Sequence, residues 1–176
     1  MRIVGGRWAG LPLLSPGERV RPTMEPLREL CMRHLALVDA RVLDLFAGTG
    51  ALGLEALSRG ARSCDFVENG TSALHALKAN IAKVRARERT RLFIRDAIPF
   101  VEALGPLAYD IAFVDPPYRS KKLDRVVARW GEVPFARVLV VEHAIDHPIT
   151  LVGKRLRVED SLITIMEART SSPPGR

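Results

Sequence analysis

The 176-residue sequence has no run of about 18 apolar residues, which excludes an ordinary membrane-spanning helix. Its opening, Met1-Arg2-Ile3-Val4-Gly5-Gly6-Arg7-Trp8, lacks an apolar stretch followed by a small-residue cleavage site, so no secretory leader is expected. Only two cysteines occur, Cys31 and Cys64, outside any Cys-x-x-Cys or zinc-like spacing; reduced packing residues are expected and no metal site. Internal repeats and low-complexity tracts are also missing. These absences leave a cytoplasmic protein outside the membrane. Its length and its 47% apolar and 27% charged residues fit one folded domain, expected to be a monomer.

Acidic charge is in short supply. Lys and Arg total 27 against 20 Asp and Glu, and most of the basic residues are Arg, whose planar fork suits phosphates and stacks on bases. A polyanionic partner fits this balance, although Arg richness by itself is also ordinary surface charge.

Residues 1–38 form an N-terminal appendage in which Gly5-Gly6, Leu11-Pro12, Ser15-Pro16-Gly17 and Arg21-Pro22 interrupt helix formation. An extended ribbon is expected there. A helix follows from Glu25 to Val38, with Thr23 as cap and Pro26 in its first turn. From Arg41 onward, short apolar runs at 41–46, 63–68, 91–95, 110–115 and 138–142 alternate with amphipathic segments at 51–59, 71–84, 98–104 and 121–130. This alternation predicts an α/β fold, a mostly parallel sheet with helices on both faces. Residues 154–158 and 162–168 read as an antiparallel C-terminal hairpin at one edge, and the tail from 171 as frayed.

The segment Val42-Leu43-Asp44-Leu45-Phe46-Ala47-Gly48-Thr49-Gly50-Ala51-Leu52-Gly53 reads as strand, tight turn and helix, and Gly48, Gly50 and Gly53 satisfy the dinucleotide fingerprint. Asp44 argues against a pyrophosphate, which it would repel, and for S-adenosylmethionine, whose sulfonium and α-amino group are cationic. Glu68, 18 residues after Gly50, closes the next strand where a ribose acceptor is expected, and Asp96-Ala97 follows the third strand, where adenine can be read. With Phe46, Ala47 and Asn69 these residues form the expected cofactor site. Each piece singly also fits a tight turn or a helix cap; their recurrence at three successive strand ends points to a ligand.

Asp115-Pro116-Pro117-Tyr118 follows an apolar fourth strand. Two prolines stiffen the backbone and remove two N–H donors, leaving carbonyl oxygens as acceptors. The Asp115 carboxylate and the Pro116 carbonyl can then take both hydrogens of an exocyclic amine and aim its lone pair at a methyl donor. Tyr118 offers a face for an extruded base. These four are the expected catalytic residues.

Together, Arg2-Ile3-Val4-Gly5-Gly6, Arg21-Pro22-Thr23 with Arg28-Glu29, the run from Leu43 to Ala61, Val67-Glu68, Asn80 and Asp115-Pro116-Pro117-Tyr118 resemble the bacterial 16S ribosomal RNA guanine-N2 methyltransferases of the RsmD type. The resemblance covers nearly the whole chain, with departures at Leu11-Pro12, Met24-Glu25-Pro26-Leu27, Met32-Arg33 and Gly70. It implies a Rossmann-like class I methyltransferase with a seven-stranded sheet whose strand order reverses beside the first strand. It also implies methylation of guanine N2 in small-subunit ribosomal RNA or an assembly intermediate, with an RNA-contacting segment before a catalytic domain at 39–170.

Arg119, Lys121 and Lys122 directly follow the tetrad and are expected to meet phosphates flanking the target base. Arg7, Arg19 and Arg21, with Arg2 and Arg28, are further RNA-contact candidates. The basic stretch Lys83–Arg95 enters a strand at its amino end and reads as a solvated face. His143 and His147, four apart, read as surface or capping residues, and Trp130 as core. The rival readings are DNA adenine-N6 methylation, protein glutamine methylation, against which Asp115 in place of Asn counts, and a non-catalytic RNA-binding assembly factor.

Overall fold

The computed structural model describes residues 1–15, 24–117 and 120–169. Arg19, Arg21, Thr23, Tyr118, Arg119 and the tail from 171 lie outside the described residues.

Seven strands form one sheet: β1 (Arg41–Leu45), β2 (Ser63–Glu68), β3 (Thr90–Ile94), β4 (Tyr109–Val114), β5 (Ala136–Ala144), β6 (Lys154–Val158) and β7 (Ser161–Glu167). Their order is β3-β2-β1-β4-β5-β7-β6. The first five run parallel, and β7 inserts antiparallel between β5 and β6. The expected mostly parallel sheet with an antiparallel C-terminal hairpin is thus present. β1 carries β2 on one side and β4 on the other, so the crossovers diverge at β1 and open a crevice at the carboxyl ends of the strands.

The strands read as continuous apolar runs because helices cover both faces. Successive residues alternate between two cores. Val42, Phe66, Ile111 and Phe113 join one with α2 (Ala51–Ser58) and α3 (Thr71–Lys83); Leu43, Leu45, Ala112 and Val114 join the other with α4 (Ala97–Glu102) and α5 (Lys122–Glu132). In α5, Leu123, Val126, Val127 and Trp130 form one apolar stripe at helical spacing. Trp130 is core, its Nε1–H donating to the Ala136 carbonyl at 2.8 Å.

The N-terminal ribbon folds back on itself, Ile3 N–H donating to Leu11 O and Gly10 N–H to Ile3 O. Ile3, Leu13, Leu27 and Cys31 share a core with the sheet. The helix expected to reach Val38 ends earlier: α1 spans Glu25–Met32. Continuing it would leave two residues to reverse direction into β1. Instead the chain turns after Met32, buries Leu37, exposes Val38 and passes through Asp39 at φ 62°, whose N–H donates to Gly60 O.

Arg28, a candidate RNA contact in the sequence, is fully buried. Its guanidinium meets Glu55 Oε2 at 3.3 Å and the Arg2 carbonyl. Glu55, also fully buried, takes hydrogen bonds from Val4 N (2.8 Å), Gly5 N (2.7 Å) and Arg59 Nε (2.9 Å). Arg28 therefore ties the ribbon to α2 and meets no solvent. Arg2 is paired with Glu25 at 3.1 Å.

Candidate active site

Parallel strands bring Asp44, Glu68, Asp96 and Asp115 to one end of the sheet. After β1 the chain turns through Phe46 (φ 58°), Gly48 (φ 55°) and Gly50 (φ 80°) into α2. At Gly50 a side chain is excluded twice: its φ is left-handed, and a Cβ would sit 2.4 Å from Leu77 Cδ1. Gly48 differs, since a Cβ there would approach nothing nearer than the Phe46 carbonyl at 3.9 Å; its backbone borders open space, where a ligand can approach closely.

Asp44 is buried, one oxygen accepting from Gly53 N at 2.9 Å. Burial pushes its carboxyl up to about 8, partly offset by that hydrogen bond and reinforced by the nearby Glu68 charge. Between its unfolded value of 3.8 and about 8 the native state binds a proton that the unfolded chain lacks. This contribution to stability is full below the lower value, declines as pH rises, and is gone above about 8, with a slope of up to about 1.4 kcal/mol per pH unit. Asp44→Asn is therefore expected to flatten the fall in Tm between pH 5 and 8; an unchanged slope would mean that another group carries it.

Glu68 spans two loops. Oε2 accepts from Gly48 N at 2.8 Å, and Oε1 from Asn69 N at 2.9 Å and Gly70 N at 2.7 Å. About one of the carboxylate's four lone-pair directions stays open, enough for a hydroxyl donor. Asp96 caps α4, accepting from Ile98 N at 2.9 Å, and meets Lys122 Nζ at 2.6 Å. The Lys122 hydrogen bond, then that of Ile98, holds the Asp96 carboxyl below the usual range. Lys122 also stands 5.9 Å from the Phe46 ring centroid. The structure thus places Lys122 against Asp96, on the side of the glycine loop, with Ala97 opening α4 beside it.

On the other side of β1, Asp115, Pro116 and Pro117 form one wall of a cavity of about 440 Å³. α5 contributes Leu123 and Asp124, with Lys121 just before it, and the end of β5 with the loop beyond contributes Glu142, His143, Ala144, Asp146 and His147. Glu68 and Asp96 are not among its walls. Asp115 stands between two subsites, the glycine loop with β2 and β3 on one side and the cavity with β5 on the other.

The β5 residues form a part of the site that their sequence context does not signal. His143 is buried rather than on the surface: Nε2 meets Thr164 Oγ1 at 2.8 Å and Nδ1 the Ala144 carbonyl at 3.0 Å. Burial lowers its pKa, so the ring is neutral. His147 pairs with Asp124 at 2.8 Å. The signal was adjacency: β5 ends beside Asp115 only because β4 and β5 are neighbours, which no local pattern states. Asn80 has a structural role that its position in α3 does not announce; buried, it donates to Thr49 O (3.0 Å) and Leu14 O (3.1 Å) and accepts from Leu14 N (2.8 Å), clamping the ribbon to the glycine loop. Of the expected RNA contacts, Lys121 lines the cavity, whereas Arg7 lies beside Trp8 and Arg89, far from it. Among the described residues no group of three or more His, Cys, Asp or Glu could hold a metal ion, and no helix is long and apolar enough to cross a membrane.

A seven-stranded sheet of this order, with a glycine loop after β1 and an acid ending β2, is the fold of a class I methyltransferase. The chain belongs to the family described as Conserved hypothetical protein 95, whose model matches residues 1–161, the RsmD type that the motifs resemble. It is 41% identical over 132 residues to the ribosomal RNA small subunit methyltransferase D of Escherichia coli (strain K12), covering 72% of this chain and spanning 65% of that relative's length. The protein of the same name from Haemophilus influenzae is 30% identical over 158 residues, 85% of this chain and 81% of the relative. Among solved structures, the candidate methyltransferase yhhF of Escherichia coli matches with a TM-score of 0.81 at 30% identity, covering 94% of this chain and 96% of that one. A hypothetical protein of Thermus thermophilus matches with a TM-score of 0.82 at 27% identity, covering 96% and 99%.

Proposed function

We propose that this chain methylates the exocyclic N2 of a guanine in small-subunit ribosomal RNA, as the free RNA or within an assembly intermediate, with S-adenosylmethionine as donor. The observation that carries this reading is the position of Asp115-Pro116-Pro117 between the glycine loop and a cavity large enough for a base. The names of the relatives support small-subunit ribosomal RNA as the class of substrate.

The residues present fit the donor. Gly48 leaves its backbone open to a ligand, Glu68 keeps acceptor capacity for a ribose hydroxyl, and the buried Asp44 carboxyl gains from a cation brought near it. Asp96, Ala97, Phe46, Ala47, Gly50 and Asn69 complete that side. When bound, S-adenosylmethionine supplies a methyl group on a positively charged sulfur, already activated for transfer.

The remaining work is orientation. A guanine amine is a weak nucleophile because its lone pair is delocalised into the ring. Asp115 and the Pro116 carbonyl accept its two hydrogens and turn the lone pair toward the methyl carbon, and Pro117 keeps the segment stiff. Positive charge that would grow on the amine nitrogen during transfer would be stabilised by the Asp115 carboxylate. The proton then leaves the methylated amine late, to Asp115 or water. Tyr118 is the residue for stacking the base, and Arg119 and Lys121, close to it in sequence, are the residues for flanking phosphates. Residues 1–38 serve as the RNA-contacting segment, through the exposed Arg7 and through Arg19 and Arg21, and 39–170 as the catalytic unit.

The test incubates the protein with radiolabelled S-adenosylmethionine and, separately, deproteinised small-subunit RNA, assembled small subunits and duplex DNA. Label in N2-methylguanosine is expected. Label in N6-methyladenine would replace this reading with the DNA one, and no transfer despite cofactor binding would refute the substrate.

A further inference from the structure

At the end of the sheet opposite Asp115, a cleft of about 340 Å³ is lined by Arg7, Trp8, Leu11, Lys83, Arg85 and Arg89. Arg89 immediately precedes β3, and Trp8 N–H donates to Ser58 Oγ at the C-terminal end of α2 at 2.9 Å. Both therefore stand at the amino ends of the parallel strands. A six-residue strand separates this cleft from the methyl-transfer end by about 20 Å.

Three features point to a ligand. The first is unbalanced charge: among the described residues no carboxylate pairs with Arg7, Lys83, Arg85, Arg87 or Arg89. Several surface arginines elsewhere are matched, as Arg41 is to Asp110, Arg62 to Asp39, Arg91 to Asp65 and Arg125 to Glu102, and the unmatched Arg155 and Arg157 stand apart from any aromatic ring contact among the described residues. Glu88, in the same turn, is exposed and bridges to none of them. The second is a fixed, half-buried aromatic: the backbone of Trp8 is held by Ser58 and by Leu11, and the Arg89 guanidinium lies 5.3 Å from its ring centroid. The third is preorganisation: Lys83 Nζ is fixed on the Pro12 carbonyl at 2.6 Å, closing the cleft floor between ribbon and α3, while Arg7 and Arg85 remain exposed. Cations that repel one another beside a ring carrying a guanidinium suit a partner with closely spaced anions and flat bases. Nucleic acid has both; an acidic peptide has only the first.

We infer that this cleft is a second RNA-docking site, in which Arg7, Arg85 and Arg89 hold phosphates and an unpaired base stacks on the Trp8–Arg89 pair. It rests on the reading of RNA as substrate and adds where, away from the reacting base, that RNA is gripped. At about 3.4 Å per stacked nucleotide, a strand needs roughly six nucleotides to reach from one end of the sheet to the other, and more around its surface. The site therefore selects large structured RNA over short oligonucleotides bearing the same target.

The experiment compares the wild type with the triple variant Arg7→Gln, Arg85→Gln, Arg89→Gln. It measures affinity for deproteinised small-subunit RNA between 50 and 200 mM salt, roughly the range over which phosphate contacts weaken most visibly, alongside tryptophan emission. Three lost phosphate contacts should reduce the slope of log K against log salt by about 2 and the affinity at low salt by about tenfold or more. RNA should quench Trp8 emission in the wild type, and the loss should be confined to RNAs long enough to span both ends. An unchanged slope and affinity, an equal loss on a four-nucleotide fragment, or a loss seen only with assembled subunits would overturn the inference, the last by pointing to a ribosomal protein. Wild-type methyl transfer is scored in parallel: its absence refutes the functional reading, whereas the binding comparison reads the cleft by itself.

Discussion

Asp115→Ala is expected to lower kcat for methyl transfer by about 10³-fold while cofactor affinity stays near the wild-type value. Asp115 follows β4, between the glycine loop and the cavity, and the hydrogen bonds that hold Glu68, Asp96 and Asp44 do not involve it. In the proposed reaction Asp115 orients the amine and faces its growing positive charge, so its removal would take away stabilisation present mainly in the transition state. Asp115→Asn keeps an acceptor but no charge and should fall between the two. Single-turnover transfer from labelled donor gives kcat, and calorimetric titration of donor gives affinity. Full activity of both variants would take Asp115 out of the mechanism; loss of donor binding would move it to the cofactor side.

Glu55→Ala is expected to destabilise the fold by about 3–5 kcal/mol, because it removes the buried carboxylate that meets the buried Arg28 guanidinium at 3.3 Å. It also strips the acceptor from the Val4 and Gly5 amides. For a domain of this size the loss corresponds to a Tm lower by about 10 °C. The double replacement Arg28→Met with Glu55→Leu removes both charges and should recover much of it. Thermal unfolding of the three variants decides: a small loss in Glu55→Ala would show that water reaches Arg28.

These two residues mark different degrees of legibility. The position of Asp115 was legible, since an apolar run followed by Asp-Pro-Pro-Tyr marks a strand end, and the structure puts it on a cavity wall there. So was the turn at Gly48 and Gly50, because left-handed backbone after a buried strand favours glycine. Glu55 and Arg28 were not: Glu55 reads as an ordinary charge on a helix and Arg28 as a candidate RNA contact. Only the packing of the ribbon against α2 makes them partners 27 positions apart. Lys122 shows the same limit. Its place after the tetrad suggested the rim, but α5 brings its amine to Asp96, from a different strand. His143, which reads as a surface residue in sequence, is buried because β7 inserts beside β5 and sets Thr164 against it.

By itself the sequence determined what depends on near neighbours: the alternation of strand and helix, the glycine turn, the acids closing β1, β2 and β4, and the C-terminal hairpin. Backbone sterics and the burial of apolar side chains act over a few residues, so their marks are written in order along the chain. Tertiary structure decided which strand ends meet, which charges are buried and paired, and which arginines are left unmatched around Trp8. Those outcomes depend on contacts between residues tens of positions apart, whose net energies arise only when folding excludes water between them.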